Sequence, residues 1–585
     1  MSGSCVVTAD EYIYENALEN EVPEHPFINK EVQIIYDTNN GVYNNQILFS
    51  TQSLVGSGKY IDFADSYIEI PFVMTMTADA ALTNINPFSM GLKSGSIQLV
   101  DSIILQYNGT SMCQQSIFTN IIQHFKIVNS WTPSDLQKWG PSTFLYPDNP
   151  LSAGYTSAAG GFSGDGIWNN LVAPPLYTSM AFWKTKSVEY NDGYLKRMQN
   201  FYNNASGSNA LVEFDTGGTK ASQVGRANWL TSGNGAVWQM VLTLPLKQLH
   251  DFFDKLPILK SARIDLTINF NSCNGTFTYT SPAAESTIAV PAADGSWEAK
   301  TNNQTSGHCN PVMISSAAAT LGTSGVGTAS ANYMGQPNAF LRTSANATVT
   351  VKANINGSGT GVSSTIFNGC RWYVTLYELD PKYQANLIAT NPLKTIYYDD
   401  FYCYTNITNQ SGAFQSLLAS GVPNPKYLLL FPFYSANKYG SNISSQSPYQ
   451  SFFGSEPATT SQVSLTNFQV QCGGKTIFPL IEQYDFQQYI EEFSSIFAYN
   501  GGKAPCMTSG LWSQLKWQNS PVYVVDIGRR VPQDVEVNKS VQISATINSV
   551  SPVDATGAIV DIIAFVIYQR SATFNIVNGL LVSSV

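Results

Sequence analysis

Charge is what this sequence is short of. Its 585 residues include only 30 Lys and Arg and 40 Asp and Glu, 12% of the chain, for a formal net charge of −10; an ordinary soluble domain carries about 25% charged residues. No run of Lys and Arg occurs, and the stretch 8–31 is acidic, with Asp10, Glu11, Glu15, Glu19, Glu21, Glu24 and Glu31. Phosphate binding needs clustered cations that displace counterions, so no direct nucleic-acid partner is expected. The opening Met-Ser-Gly-Ser-Cys lacks the charged and then apolar pattern of an export signal, so synthesis in a reducing compartment is expected. The longest apolar runs, such as 427–433, fall short of the roughly 18–20 residues of a membrane span. Eight cysteines stand far apart with no CxxC pair, which predicts buried thiols rather than disulfides. Gly and Pro, 43 and 28 residues, are too few for a low-complexity chain.

Apolar and aromatic residues, in contrast, are plentiful at 43% and 12%, enough for large cores. The polarity missing from the charges is carried by Asn, Gln, Ser, Thr and Tyr, the profile of a β-rich protein with long neutral loops. Strands are predicted at 32–36, 45–50, 60–74, 96–107, 237–244, 263–270, 372–379, 395–404, 426–434, 464–471, 522–527, 540–547 and 560–568, where β-branched and aromatic residues lie between turn-rich segments. Helical periodicity is confined to 116–131, 247–256 and 486–498.

An internal repeat organises these elements. Residues 260–269 read KSARIDLTIN and 539–548 read KSVQISATIN, identical at six of ten positions. Three further units recur in the same order. Lys59-Tyr60, a strand and Pro71-Phe72 match Lys426-Tyr427, a strand and Pro432-Phe433. A strand, the Asn108-Gly109 turn and a helix match a strand, the Gly473-Gly474 turn and a helix, and 374–377 matches 566–568. Gly109 and Lys260 are 151 residues apart but Gly474 and Lys539 only 65, so the first copy carries a long insertion, placed at 140–235. A second, weakly periodic insertion is placed at 272–344, and both are expected as loop excursions at the end of a rigid scaffold. The expected organisation is an acidic arm at 1–30, a first β-sandwich at 31–385 and a second at 386–585.

Few residues stand in patterns that chemistry requires. Gly474-Lys475-Thr476 resembles the end of a phosphate loop, but Gln469 stands where a glycine is required and no helix follows. The stretch 322–327 has glycines at 325 and 327 but no strand-then-helix setting, and no GxSxG elbow exists. Four histidines, His25, His124, His250 and His308, fit no metal spacing; His124 and His250 read as packing or capping residues. Asp399-Asp400 and Arg529-Arg530 read as exposed strand ends, with inter-subunit salt bridges as the functional alternative. No catalytic, cofactor-binding or metal-binding residue is assigned, and no enzyme activity or cofactor is expected.

The chain resembles double jelly-roll major capsid proteins of the adenovirus and membrane-containing phage lineage, whose host cytoplasm would be the expected place of synthesis. The resemblance is strongest to those of virophages and polinton-like viruses. It rests on 522–529 (VYVVDIGR), 539–543 (KSVQI), 560–568 (VDIIAFVIY), Asn578-Gly579-Leu580 and, in the first half, 244–253 (LPLKQLHDFF). It implies an all-β fold of two tandem eight-stranded jelly-roll sandwiches with short helical inserts and long loops. It also implies homotrimeric, pseudo-hexagonal capsomers tiling an icosahedral shell around a DNA genome. Partners would be further copies of the chain, a penton protein and minor capsid proteins, with an inner membrane possible but not indicated. The competing class is a non-capsid β-sandwich of carbohydrate-binding or adhesin type, for which an export signal or calcium ligands would be expected.

Overall fold

A computed structural model describes residues 26–78, 88–113, 117–147, 235–279, 302–316, 347–362, 367–390, 392–435, 460–461, 463–477, 481–499, 511–528, 539–549 and 557–584, with short pieces at 157–158, 161–162, 198–200 and 227–229. Period-2 alternation sets the architecture. The strand Ile264–Phe270 buries every second side chain, as does most of Lys539–Ile547, so each covers a core with one face. The strand Pro425–Tyr434 is buried on both faces and lies inside its sheet.

The first sandwich is built from the strands Phe27–Tyr36, Gln46–Ser50, Tyr60–Ala78, Val100–Tyr107, Thr110–Ser111, Gly235–Pro245, Ile264–Phe270 and Arg371–Leu379. Numbered one to eight along the chain, they pair in the orders 1-8-3-6 and 2-7-4-5. The second is built from Leu393–Gln410, Ala413–Val422, Pro425–Tyr434, Leu465–Cys472, Lys475–Thr476, Tyr523–Asp526, Lys539–Ile547 and Val560–Asn575. These pair in the same two orders. Two four-stranded sheets so connected are a jelly roll, and the chain holds two.

All four matched sequence units fall at equivalent places. The units 260–269 and 539–548 carry the seventh strands, the Lys-Tyr…Pro-Phe units the third, and 374–377 and 566–568 the eighth. The turns Asn108-Gly109 and Gly473-Gly474 link fourth to fifth strands, with positive φ at all four residues, as a two-residue hairpin turn requires. Each turn is tied to the start of the seventh strand, by Asn108 N–H to the Arg263 carbonyl (3.0 Å) and Gly473 N–H to the Ser540 carbonyl (2.9 Å).

Several expectations need correction. Within 272–344, Cys273–Tyr279 pairs with both Asn302–His308 and Ala347–Ile355. Ala347–Ile355 in turn pairs with the far half of Tyr60–Ala78, so this part of the insertion extends the sheet. Strand one of the first sandwich begins at Phe27, inside the stretch expected as an arm; residues 1–25 lie outside the described residues. Most of 140–235 does too, apart from the end of the helix Pro133–Thr143 and short strand pieces. The helix expected at 247–256 is two pieces, Leu246–Leu249 and Asp251–Lys255, broken where His250 turns extended. The helices Pro133–Thr143, Pro381–Thr390 and Gln514–Asn519 lie outside the segments of helical periodicity.

The strand sets separate at Pro381–Thr390, but the two hydrophobic cores exchange residues. The first includes Ile396, Tyr398, Phe574 and Ile576 from the second half of the chain. The second includes Ile121, Ile122, Phe125 and Val128, from the helix Thr119–Ser130 of the first half. Phe125 meets Phe431, Trp512 and Phe493 edge-on at centroid distances of 5.5, 5.7 and 6.2 Å. Phe125→Ala therefore empties a site in the second core and is expected to cost about 3–5 kcal/mol, read as a lower guanidinium midpoint. An unchanged midpoint would show that this helix does not belong to the second core.

Candidate functional site: a polar seam between two sandwiches

Where the sandwiches meet, buried polar groups replace apolar packing. Pro245 ends a strand, and the chain turns through Leu246–Leu249 into His250, whose extended backbone makes it the N-cap of Asp251–Lys255. The ring Nδ1 accepts the Phe252 N–H at 3.1 Å, so in the neutral ring the proton sits on Nε2, 3.5 Å from Asp400 Oδ1. Asp400 has no exposed surface. Its Oδ1 also accepts the Phe401 N–H at 2.9 Å, and its Oδ2 accepts from Tyr568 Oη at 2.9 Å and faces Arg570 Nη1 at 3.4 Å. Arg570 reaches on to the Ser111 carbonyl (3.2 Å), and Tyr398 Oη donates to the Met112 carbonyl (2.8 Å). Burial raises the Tyr568 hydroxyl well above its usual value, and the Asp400 charge adds to this.

Asp399, one residue away, faces the other side of its strand. Lys426 Nζ lies 2.6 Å from its Oδ1 with both side chains buried, and its N–H donates to Asp251 Oδ2 at 2.8 Å. Burial raises the Asp399 carboxyl above the usual carboxylate range, against the pull of Lys426. Lys426 matches Lys59 in the repeat, and Lys59 contacts Glu31 on the first strand of its own sandwich at 2.6 Å. A lysine at the start of strand three therefore meets an acid on strand one twice, once half-exposed and once buried.

The C-terminal hairpin closes the seam. Tyr107 Oη and Asn108 Nδ2 donate to the Gly579 carbonyl at 2.7 and 2.9 Å, and the Lys260 N–H donates to the Ile576 carbonyl at 3.0 Å. Gly579 has φ +63°, and a Cβ there would run into the Lys260 carbonyl. Beside the seam opens a cleft of about 1040 Å³, lined by strand three of the first sandwich, the helix Thr119–Ser130, the 245–254 corner, and Asp399, Tyr427 and Leu429 of the second.

Asp399 and Asp400 are thus neither exposed strand ends nor available to another subunit; they bind within the chain. Arg529 and Arg530 lie outside the described residues. His250 caps a helix, and His124, buried, contacts Ser94 Oγ through Nδ1 at 2.9 Å. His308 Nδ1 contacts the Ser272 carbonyl at 2.8 Å, and His25 lies outside the described residues. Lys475–Thr476 is a two-residue strand after a tight turn. Six cysteines are described, none in a disulfide and five of them buried, and burial pushes the Cys113 thiol up to about 12. Among the described residues no group of three or more His, Cys, Asp or Glu is placed to hold a metal ion, and no helix is long and apolar enough to cross a membrane.

No protein-family model matches the chain, and no curated protein matches its sequence. Solved structures do match. A chain of the 3.5 Å cryo-EM structure of the Sputnik virophage is 13% identical, with 96% of this chain and 89% of that one covered at a TM-score of 0.50. The mavirus major capsid protein is 12% identical over 95% of this chain and 90% of its own, at 0.41. The Faustovirus major capsid protein is 10% identical over 96% and 98%, at 0.40. The fold, two jelly rolls in one chain, is shared with that chain of the virophage structure.

Lys426→Met would leave Asp399 buried without its cation, a change expected to cost about 3–5 kcal/mol at neutral pH. Asp399 titrates higher in the folded than in the unfolded chain, so the folded state holds more protons from about pH 4 up to the raised value. Stability contributed by this group therefore falls as pH rises through that window and is flat above it. Lys426→Met should steepen the fall, and Lys426→Met with Asp399→Asn should abolish it. Urea midpoints measured from pH 4 to 8 check both, and parallel profiles for all three proteins would contradict the assignment.

Proposed function

We propose that the chain is a viral major capsid protein that forms homotrimeric, pseudo-hexagonal capsomers tiling an icosahedral shell around a DNA genome. The observation that carries the reading is the pairing order 1-8-3-6 and 2-7-4-5 occurring twice in one chain, in a fold shared along 96% of the chain with a virophage structure. The first jelly roll is read as running from Phe27 to the helix Pro381–Thr390 and the second as following it, so three chains around an axis present six similar sandwiches. Closure also gives exposed apolar residues a partner. Ile28, Val32 and Tyr36 on the first strand are exposed, as are Leu393, Tyr397, Leu580 and Val582 on the second sandwich. Patches of this kind are covered in oligomers. Phe27–Tyr36 is an edge strand among the described residues, and edges left open invite uncontrolled pairing.

The role is structural rather than enzymatic, and the site of action is the virion. The low charge suits it, because like charges repel little when identical surfaces pack side by side. A penton protein and minor capsid proteins complete the expected partners, and no direct genome contact is expected.

Size exclusion with light scattering, in low and in high salt, tests the trimer. The expected mass is three times the 63.8 kDa of one chain in both, since apolar contacts survive screening, and negative stain should show hexagonal outlines. A monodisperse monomer in both salts would overturn the reading.

A further inference from the structure

We propose that Lys426 and Asp399 join in an intramolecular isopeptide bond, a covalent staple between strands one and three of the second sandwich. The inference goes beyond the capsid reading and does not rest on it. Strands one and three flank strand eight in the order 1-8-3-6, so the pair spans the strand between them. The register of strand three on strand eight shifts between Pro425 and Tyr427, which makes Lys426 the extra residue of a bulge, a device that re-aims a side chain. Its Nζ comes to 2.6 Å from Asp399 Oδ1, with the two side chains 7% and 8% exposed.

In water an ammonium and a carboxylate do not condense, because solvation holds both as ions and neither is nucleophile or electrophile. Burial makes an ion pair costly, and one proton passing from Nζ to Oδ1 leaves an amine beside a carboxylic acid. The amine attacks Cγ and the C–N bond forms. A proton then moves from nitrogen to the departing hydroxyl, the C–O bond breaks and one water leaves. Ammonium and carboxylate thus give amide and water, with no oxidant, reductant or activated donor. Contact held by the fold supplies the drive that dilute solution lacks. Burial is the largest influence on the Asp399 carboxyl and raises it; Lys426 and Lys126 pull it down, and the charge of Asp251 pushes it up. Asp251 is held there by the Asp399 N–H, which donates to its Oδ2 at 2.8 Å, and so acts as a positioning residue that favours the electrophilic acid. The cleft that Asp399 lines gives the released water a way out. The ion pair described above is the state before reaction.

The first sandwich provides an internal control. Lys59 stands 2.6 Å from Glu31 at the matching place, but those side chains are 24% and 43% exposed. Water solvates both ions, and no amide is expected there.

Mass spectrometry of the full-length protein, denatured after purification, tests the staple. The chain should be lighter than its sequence by one water. Trypsin does not cut after an acylated lysine, so residues 395–426 and 427–438, separate tryptic peptides of the unreacted chain, should appear as one looped peptide 395–438, lighter by one water. Residues 31–59 and 60–93 should stay separate. Lys426→Arg keeps the cation but not the nucleophile and should have the full mass. In protein sampled at intervals after cell-free synthesis, Asp251→Asn should form the light species about tenfold more slowly, as for a carboxyl pKa lowered by one unit; an unchanged rate would strike Asp251 from the reaction. Full mass with normal cleavage after Lys426 would overturn the proposal. So would a water lost while that cleavage persists, the mark of a cyclic imide at an aspartate. None of these outcomes bears on the trimer mass, so the two readings fail separately.

Discussion

A carboxylate with no exposed surface must find its partners inside the protein, and Asp400 draws on both sandwiches to do so. Tyr568, Arg570 and the Phe401 amide come from the second, and the His250 ring comes from the first. Separating the sandwiches would strip partners from a buried charge, which costs several kcal/mol, whereas apolar surfaces slide with little directional preference. The division of labour follows. Phe125 and its neighbours on one side, and Phe574 and Ile576 on the other, supply the bulk of the attraction. The seam of Asp399, Asp400, Lys426 and Arg570 selects one relative orientation from those that burial alone would tolerate.

Much of this was legible in the sequence where the physics is local. Alternation marks strands such as Ile264–Phe270, and the Asn-Gly and Gly-Gly turns mark hairpins, because positive φ restricts the residues allowed there. The repeated Lys-Ser-x-x-Ile…Thr-Ile-Asn unit located both seventh strands, because a duplicated fold keeps its core pattern. Ala413–Val422 escaped because Gln415, Ser416 and Ser420 dilute its β pattern, and its pairing with Lys539–Ile547 supplies what propensity lacks. Cys273–Tyr279 and Ala347–Ile355 escaped for the same reason: their partners lie far away along the chain.

The seam was misread for a geometric reason. Neighbours on a strand point to opposite faces, so Asp399 and Asp400 could share an environment only if both faces were covered. Both are buried here, and the 245–254 corner reaches each, His250 at the Asp400 carboxylate and Asp251 at the Asp399 N–H. Their cationic partners, Lys426 and Arg570, lie 27 and 170 residues further along, beyond any local pattern. The repeat held one clue. The lysine at the start of strand three recurs at 59 and 426, and a lysine kept at that place implies an acid within reach on strand one.

The C-terminal hairpin that donates Phe574 and Ile576 to the first core bears on how the chain is made. A ribosome adds about 5–20 residues per second, so the last strand of the first sandwich waits on the order of 10–40 s for these side chains to emerge. During that interval the first core is short of its lid, and its apolar surface needs shielding from neighbouring nascent chains. When the missing pieces arrive they come with a second set of strands carrying nearly the same sequence, KSVQISATIN beside KSARIDLTIN. The two look-alike units end in different sheets, each paired with strands two and four of its own sandwich.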